Sequence, residues 1–136
     1  MAYLRKEEAK LMRANLRRVF PTKEGWKVSL INRDKNSADV TIYKGNFKTS
    51  KTFGQYDDSE DFKTFCKVVE DVLEISVPNH DNSDIMTDYF DVGYYKSIYL
   101  GDYDKDYIYN EGKSVNWDEI NKRVSALKII KELKKD

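Results

Sequence analysis

Residues 59–75 carry apolar side chains at the spacing that an α-helix places along one face. The stripe consists of Phe62, Phe65, Cys66, Val69, Val72 and Leu73, which recur three and four residues apart. Asp58 or Ser59 can cap the start of this helix, and Pro78 ends it. A helix with so continuous an apolar stripe needs a second apolar surface to pack on, so the stretch predicts a folded domain with a core.

Two further segments show the helical period. Residues 3–20 place Ala9, Met12, Leu16, Val19 and Phe20 on one face, and Pro21 ends the helix. Residues 117–134, capped by Ser114 or Asn116, carry a stripe of Trp117, Ile120, Val124, Leu127, Ile130 and Leu133. The chain is therefore predicted to contain three helices.

The segments between these helices suit strands. Residues 26–32 and 39–44 alternate between apolar and polar side chains and flank the turn residues 34–37, which predicts a β-hairpin. Residues 95–100 and 103–109 are rich in aromatic and β-branched side chains and predict a second hairpin that turns at Gly101-Asp102. The order αββα–ββα predicts one α+β domain over residues 1–136. We expect a mostly antiparallel sheet of about four strands, with helices on one face.

The composition excludes several classes of protein. The 136 residues suit a single domain, and the one cysteine rules out a disulfide framework within the chain. The apolar runs are far shorter than a membrane span, and the N-terminal residues lack the apolar core of a signal peptide. We therefore expect a cytoplasmic protein with no membrane partner.

Residues that carry catalysis or bind metals are scarce. Cys66 lies on the apolar stripe, and the single histidine, His80, lies in a polar loop, so a Cys–His nucleophile pair is not expected. Asp102–Asp106 imitates the start of a calcium loop, but Tyr107 and Lys113 stand where such a loop needs Gly and Glu. We expect no enzyme, no metal and no cofactor. A hydrolase or nuclease that uses the aspartates with a divalent ion is the weakest alternative.

Charge is separated along the chain although the formal net charge is zero. Residues 1–56 carry 13 Lys and Arg against 5 Asp and Glu, residues 57–106 carry 4 against 14, and residues 107–136 carry 7 against 5. Either these zones neutralise each other in the fold, or they form separate patches that steer association with charged partners.

Each charged zone gives a binding hypothesis. The first zone contains a helical stripe of Lys6, Lys10, Arg13 and Arg17 that suits the phosphates of a nucleic acid. Residues 86–109, which overlap the end of the acidic zone, hold seven of the ten tyrosines. Tyrosine is enriched at protein interfaces, and carboxylates attract a basic partner. The candidate contact residues are Asp88, Tyr89, Tyr94, Tyr95, Asp102, Tyr103 and Asp104. The alternative is that these tyrosines belong to the core and that the aspartates only solubilise the surface.

Two stretches also carry a family resemblance. One is Leu16-Arg17-Arg18-Val19-Phe20-Pro21, followed by Trp26-Lys27-Val28-Ser29 and the strand at residues 38–42; the other is Ser83-Asp84-Ile85-Met86-Thr87-Asp88-Tyr89-Phe90-Asp91. Together they resemble one of the large polyvalent protein-associated domains of phages and conjugative elements. The resemblance implies a mobile-element origin and a role in countering or rewiring host functions, and it supplies no catalytic residues.

These observations favour a non-enzymatic interaction protein of a phage or similar element. Its partner is expected to be a host protein with a basic surface, and inhibition of a host defence system fits such a role. The alternative is a nucleic-acid-binding accessory protein that uses the basic helix face.

Overall fold

The computed structural model describes residues 4–32, 37–55, 57–77 and 94–133. The elements are α1 (Lys6–Val19), β1 (Lys27–Ile31), β2 (Ser37–Gly45), α2 (Glu60–Ser76), β3 (Tyr95–Leu100), β4 (Ile108–Tyr109) and α3 (Trp117–Leu133), with a short 3₁₀ turn at Thr22–Glu24. The α+β class, the three helices and the order αββα–ββα are therefore confirmed.

Local side-chain bonds fix where the helices begin. The carboxylate of Glu8 accepts the backbone N–H of Arg5 at 3.0 Å, one residue before α1. The hydroxyl of Ser59 accepts the N–H of Phe62 at 3.3 Å and caps α2. The side chain of Asn116 accepts the N–H of Glu119 at 3.2 Å at the start of α3. Ser59 and Asn116 were each one of two predicted caps, and both act by satisfying a free N–H of the first turn.

The sheet is mixed, so the prediction of a mostly antiparallel sheet is wrong. β2 is central and pairs antiparallel with β1, whereas β3 and β4 lie end to end along its other side and run parallel to it. The chain between β2 and β3 includes α2, and a crossover of this length brings the chain back in the same direction. The short connections within residues 26–44 and 95–109 predict two hairpins, of which the first is confirmed by the antiparallel pairing of β1 with β2.

The second hairpin does not form, which is a further correction. β3 and β4 each pair with β2 and not with each other. Of the predicted strand over residues 103–109, only Ile108–Tyr109 is a strand. Both β3 and β4 pair with the same side of β2, so the residues between them leave the sheet.

An aromatic cluster fills the space between the sheet and the helices. Its centre is the ring of Phe65 on α2, which lies 5.0 Å from the Phe20 ring, 5.8 Å from the Phe47 ring and 6.4 Å from the Trp26 ring. Phe20 and Trp26 meet edge to face at 4.8 Å. Such ring pairs add to the stabilisation from burying the rings themselves. The cluster joins α1, α2 and the segments on either side of the first hairpin into one core.

An ion pair fastens α3 to the rest of the helical layer. The guanidinium of Arg123 donates to both carboxylate oxygens of Glu24, at 2.8 and 2.6 Å, and to the carbonyl oxygen of Val19 at 3.0 Å. The bidentate geometry is the strong form of this pair. α3 buries Ile120, Val124 and Leu127, while Ile130 in the predicted stripe is exposed at the margin of the core. None of the described helices has the length and apolar content that crossing a bilayer requires.

We expect Gly101→Ala to destabilise the fold strongly. Gly101 follows β3 with φ at +55°, and a Cβ there lies 2.6 Å from the carbonyl oxygen of Lys105 and 2.8 Å from that of Thr52. Left-handed strain and overpacking together predict a loss of about 3 kcal/mol in the free energy of unfolding, measured in urea. The control is Gly112→Ala, with φ at +80° and open space around the Cβ, for which strain alone predicts about 1 kcal/mol. Equal losses in the two variants would contradict this packing.

Candidate functional site

The strand pairing around Tyr43 is interrupted on both sides of β2. On one side the partners step from Val28↔Ile42 to Lys27↔Lys44, and on the other from Ile42↔Leu100 to Lys44↔Ile108. On the β1 side the step is a β-bulge that leaves Tyr43 without a partner residue. On the other side residues 101–107 depart from the sheet opposite Tyr43. This excursion forms the first candidate surface.

The excursion begins with a tight turn, Gly101–Asp106, which we name the acidic turn. Backbone bonds close it: the N–H of Asp102 donates to the carbonyl oxygen of Lys105 at 2.8 Å, and the N–H of Lys105 returns to that of Asp102 at 3.1 Å. The Asp102 carboxylate also accepts the N–H groups of Asp104 and Lys105, each at 2.8 Å. Gly101 anchors the start of the turn through an N–H bond of 2.9 Å to the carbonyl oxygen of Ile42. The turn is therefore held by its own backbone and by the sheet.

Tyr43 connects the acidic turn to the sheet through its side chain. Its hydroxyl donates to the second carboxylate oxygen of Asp102 at 2.7 Å. This bond, together with the backbone N–H groups of Asp104 and Lys105, lowers the pKa of Asp102 below its ordinary value. The same bond raises the pKa of Tyr43, with burial adding to the shift. Asp102 therefore carries its charge at neutral pH and holds the turn in place.

The acidic turn presents an aromatic ring to solvent. Tyr103 is 88% exposed, and Asp104 and Asp106 beside it are also exposed. Phe53 is 51% exposed on the neighbouring segment, which is tied to β3 by two backbone bonds between Gly54 and Leu100, of 3.0 and 2.7 Å. Phe53 was missed because residues 45–57 look like a polar loop. Phe53 lies here because the adjacent Gly54 pairs with Leu100 of β3, and no local sequence pattern predicts that pairing.

The face of the sheet directed away from the core continues this surface, and we name it the open face. Its central side chains on β2, Asp39 and Thr41, are buried, so its exposed side chains lie on the outer strands. In β3 the side chains of Tyr95 and Tyr99 alternate with the core-facing Ile98 and Leu100. Tyr95 is 57% exposed at one end of β3, and the acidic turn follows the other end. On the same face, β1 contributes the exposed side chain of Ile31. Tyrosines thus run along β3 toward the acidic turn.

The structure brings four of the seven predicted contact residues to this surface. These are Tyr95, Asp102, Tyr103 and Asp104. The prediction that Tyr94 is a contact residue is wrong, because its side chain is only 2% exposed. Its hydroxyl donates to the carbonyl oxygen of Val77 at 2.7 Å. Burial raises its pKa far above the ordinary range. Tyr94 therefore belongs to the core. Asp88 and Tyr89 lie outside the described residues.

A second candidate surface lies between α1 and the outer edge of β1, and we name it the basic groove. It has a volume of about 750 Å³, and the described residues that line it include the cations Arg13, Arg17, Lys27 and Lys44 but no Asp or Glu. Lys6, Lys10 and Arg17 of the predicted stripe are exposed, whereas Arg13 is half-buried and donates from Nε to the carbonyl oxygen of Leu30 at 3.0 Å. The hairpin adds two lysines that sequence reasoning missed.

No ion pair joins the two charged surfaces within the described part of the chain. The ion pairs there are Lys63–Glu60, Lys96–Glu74, Arg123–Glu24 and Arg123–Glu119. None of these four pairs joins α1 to the acidic turn, so neither surface neutralises the other through a direct contact in the described residues.

The remaining reactive groups take no part in these surfaces. Cys66 is half-buried, and burial together with the nearby charge of Glu70 raises its pKa to about 11, so it remains a protonated thiol at neutral pH. His80 lies outside the described residues. Within the described ranges, no three or more His, Cys, Asp or Glu side chains are grouped to hold a metal ion.

Comparison with protein-family models, with curated proteins and with solved structures finds no match to this chain. The function proposed below therefore rests on the residues of this chain.

We expect Tyr43→Phe to raise the pKa of Asp102 toward its ordinary value, because the tyrosine hydroxyl is the largest cause of the depression. A carboxyl NMR titration of wild type and variant measures this directly. Since the folded-state pKa lies below the unfolded one, the stabilisation from Asp102 is complete at neutral pH and is lost as pH falls through the folded-state pKa. In the variant the loss is smaller and is complete at a higher pH, because the folded-state pKa lies closer to the unfolded one. Identical titration of Asp102 in both proteins would contradict the role of Tyr43.

Proposed function

We propose that this chain is a non-enzymatic interaction protein that binds a host protein with a basic surface. The contact surface comprises the acidic turn and the adjoining part of the open face. The observation that carries the proposal is the position of Tyr103, 88% exposed at the tip of a turn that hydrogen bonds hold in one conformation.

The geometry of the acidic turn suits a binding anchor. Binding costs less when the contacting segment is already ordered, and Asp102 orders the turn through its bonds to Asp104 and Lys105. Tyrosine is among the residues that most often dominate binding energy when they enter a pocket on the partner. An exposed ring on an ordered turn therefore has the chemistry of a central contact.

The charges around Tyr103 favour a basic partner. Asp102, Asp104 and Asp106 outnumber the single cation Lys105 within the turn. Carboxylates that surround an aromatic contact accelerate association with a positive surface and disfavour acidic partners. A positively charged groove, such as one that a host protein uses to bind nucleic acid, is the surface that this arrangement fits.

The extent of the surface is adequate for a specific complex. β3 has six residues, so Tyr95 and the acidic turn lie roughly 20 Å apart. Tyr99 lies between them on the same face, and Ile31 widens the patch. A patch of this length suits the roughly 800 Å² that each partner buries in a standard interface.

The resemblance to domains of phages and conjugative elements supports the biological setting of the proposal. It rests on residues 16–42 and on residues 83–91, of which the second stretch lies outside the described residues. A mobile-element protein that occupies the basic surface of a host defence protein would block it without chemistry of its own. We place this action in the cytoplasm of the host cell.

Tyr103→Ala is expected to abolish retention of the partner. The immobilised full chain is incubated with a bacterial lysate, and the retained proteins are quantified. Loss of a central tyrosine costs about 2 kcal/mol or more, which is roughly a thirtyfold loss of affinity. The matched control is Ile129→Ala, which removes a 58% exposed side chain from α3. If Tyr103→Ala and wild type retain the same proteins in the same amounts, the acidic turn is not the contact.

The double variant Asp104→Asn and Asp106→Asn is expected to slow association without changing the fold. Both side chains are exposed, and removing two charges lowers the association rate constant by roughly threefold to tenfold at low salt. Surface plasmon resonance with the captured partner at several salt concentrations measures this. The control removes two exposed charges from α2, in the variant Glu70→Gln and Asp71→Asn. An equal effect of both variants would show a response to net charge alone.

A further inference from the structure

We infer that the basic groove binds the phosphodiester backbone of nucleic acid without reading its base sequence. This site adjoins the acidic turn at Tyr43 but consists of other residues, and it goes beyond the proposed protein contact. Four cations from three elements meet in it: Arg13 and Arg17 of α1, Lys27 of β1 and Lys44 of β2.

The groove collects positive charge at an electrostatic cost. Lys27 and Lys44 are direct cross-strand partners, and like charges placed opposite each other destabilise a sheet. Among the described residues of the lining there is no carboxylate to offset them. The ring of Tyr43 lies 5.9 Å from the ammonium of Lys27 and gives a partial offset only. A bound polyanion supplies the missing negative charge.

The form of the groove suits an extended chain of phosphates. The exposed cations of this open groove, which has a volume of about 750 Å³, are Arg17 on α1 and the neighbouring pair Lys27 and Lys44 on the strands. On α1 the charge continues through the exposed Lys10 and Lys6, which lie on the same helix face as Arg17. A track of separated, solvated cations is typical of backbone binding, whereas a site for a single phosphate gathers its donors at one point.

Stacking on bases finds little aromatic surface in the groove. The rings of Phe20 and Trp26 line it but are buried, and they are engaged with each other at 4.8 Å. The ring of Tyr43 also lines the groove, but it is half-buried and lies 5.9 Å from the Lys27 ammonium. Stacking of unpaired bases needs exposed aromatic faces. Without stacking, the cations and the phosphates make the main contacts, and binding is expected to be independent of sequence.

An acidic peptide added as a strand to β1 suits the groove less well. A strand that joins a sheet edge needs the free carbonyl and N–H groups along that edge. Arg13 already donates to the outward carbonyl oxygen of Leu30 at 3.0 Å, which removes an acceptor from the middle of β1. The guanidinium has five N–H donors and uses one of them in this bond, so its remaining donors can bind a phosphate.

Asp102 limits how far a bound phosphate backbone can extend along the groove on the side of the sheet. The groove reaches Tyr43, and the hydroxyl of Tyr43 donates to Asp102 at 2.7 Å. A phosphate backbone is repelled beyond this point by the acidic turn. The bound strand therefore runs from Lys44 toward α1 and leaves the acidic turn free.

The test is the salt dependence of binding to a short fluorescent DNA duplex, read by anisotropy between about 50 and about 200 mM salt. Four phosphate contacts predict a slope of log K against log salt of about −3.6, which is a loss of about 150-fold over this range. The variant Arg17→Gln and Lys44→Gln is expected to reduce the slope by about 1.8 units. Both side chains are exposed, so the variant retains the fold, which circular dichroism verifies.

The control variant is Lys122→Gln and Lys128→Gln, which removes the same charge from exposed positions on α3 and is expected to leave the slope unchanged. Three results would overturn the inference: no duplex or single-stranded binding by wild type at about 50 mM salt, the same slope in groove and control variants, or displacement of the duplex by poly-glutamate at equal charge concentration. The last result would assign the groove to an acidic protein. A duplex of unrelated sequence is expected to bind equally well.

Discussion

The architecture depends on β2, a strand of nine residues that pairs with the three other strands. Each of the other three strands pairs with β2, and the regularity of β2 fails at one residue, Tyr43. On the β1 side the failure is a one-residue bulge, whereas on the other side it is wide enough to release residues 101–107 from the sheet. The hydroxyl of Tyr43 then binds Asp102 and fixes the released segment. The same residue that interrupts the sheet therefore holds the acidic turn in place.

Tyr43 also lies between the two charged surfaces. Its ring lines the basic groove beneath Lys27, and its hydroxyl reaches the acidic turn through Asp102. Opposite charges so close together would be expected to pair, yet in the described residues the ion pairs lie elsewhere. Local bonds explain the separation, because Asp102 is engaged by its own turn and Arg13 by the carbonyl oxygen of Leu30. The molecule therefore presents both signs of charge, and we propose that each sign addresses a different partner.

Much of the helical layer could be predicted from the sequence because its signals are local. The apolar stripe of α2 and the caps Ser59 and Asn116 depend on residues a few positions apart. The parallel pairing could not be predicted, since nothing in residues 95–109 indicates that both strands prefer β2 to each other. Tyr94 and Tyr95 show the same limit: they are neighbours in sequence, but one is in the core and the other is exposed. The groove lysines are 17 positions apart and meet only through strand register.

The central claim is that the acidic turn is ordered before any partner binds. Backbone ¹⁵N relaxation of the free protein tests it most directly, through the order parameters of the amides of Tyr103, Asp104, Lys105 and Asp106. The hydrogen bonds of Asp102 predict values near 0.85, about those of a rigid backbone. Values below about 0.6 at these four amides would show a flexible loop. The claim that the turn holds the Tyr103 ring in position for binding would then be contradicted.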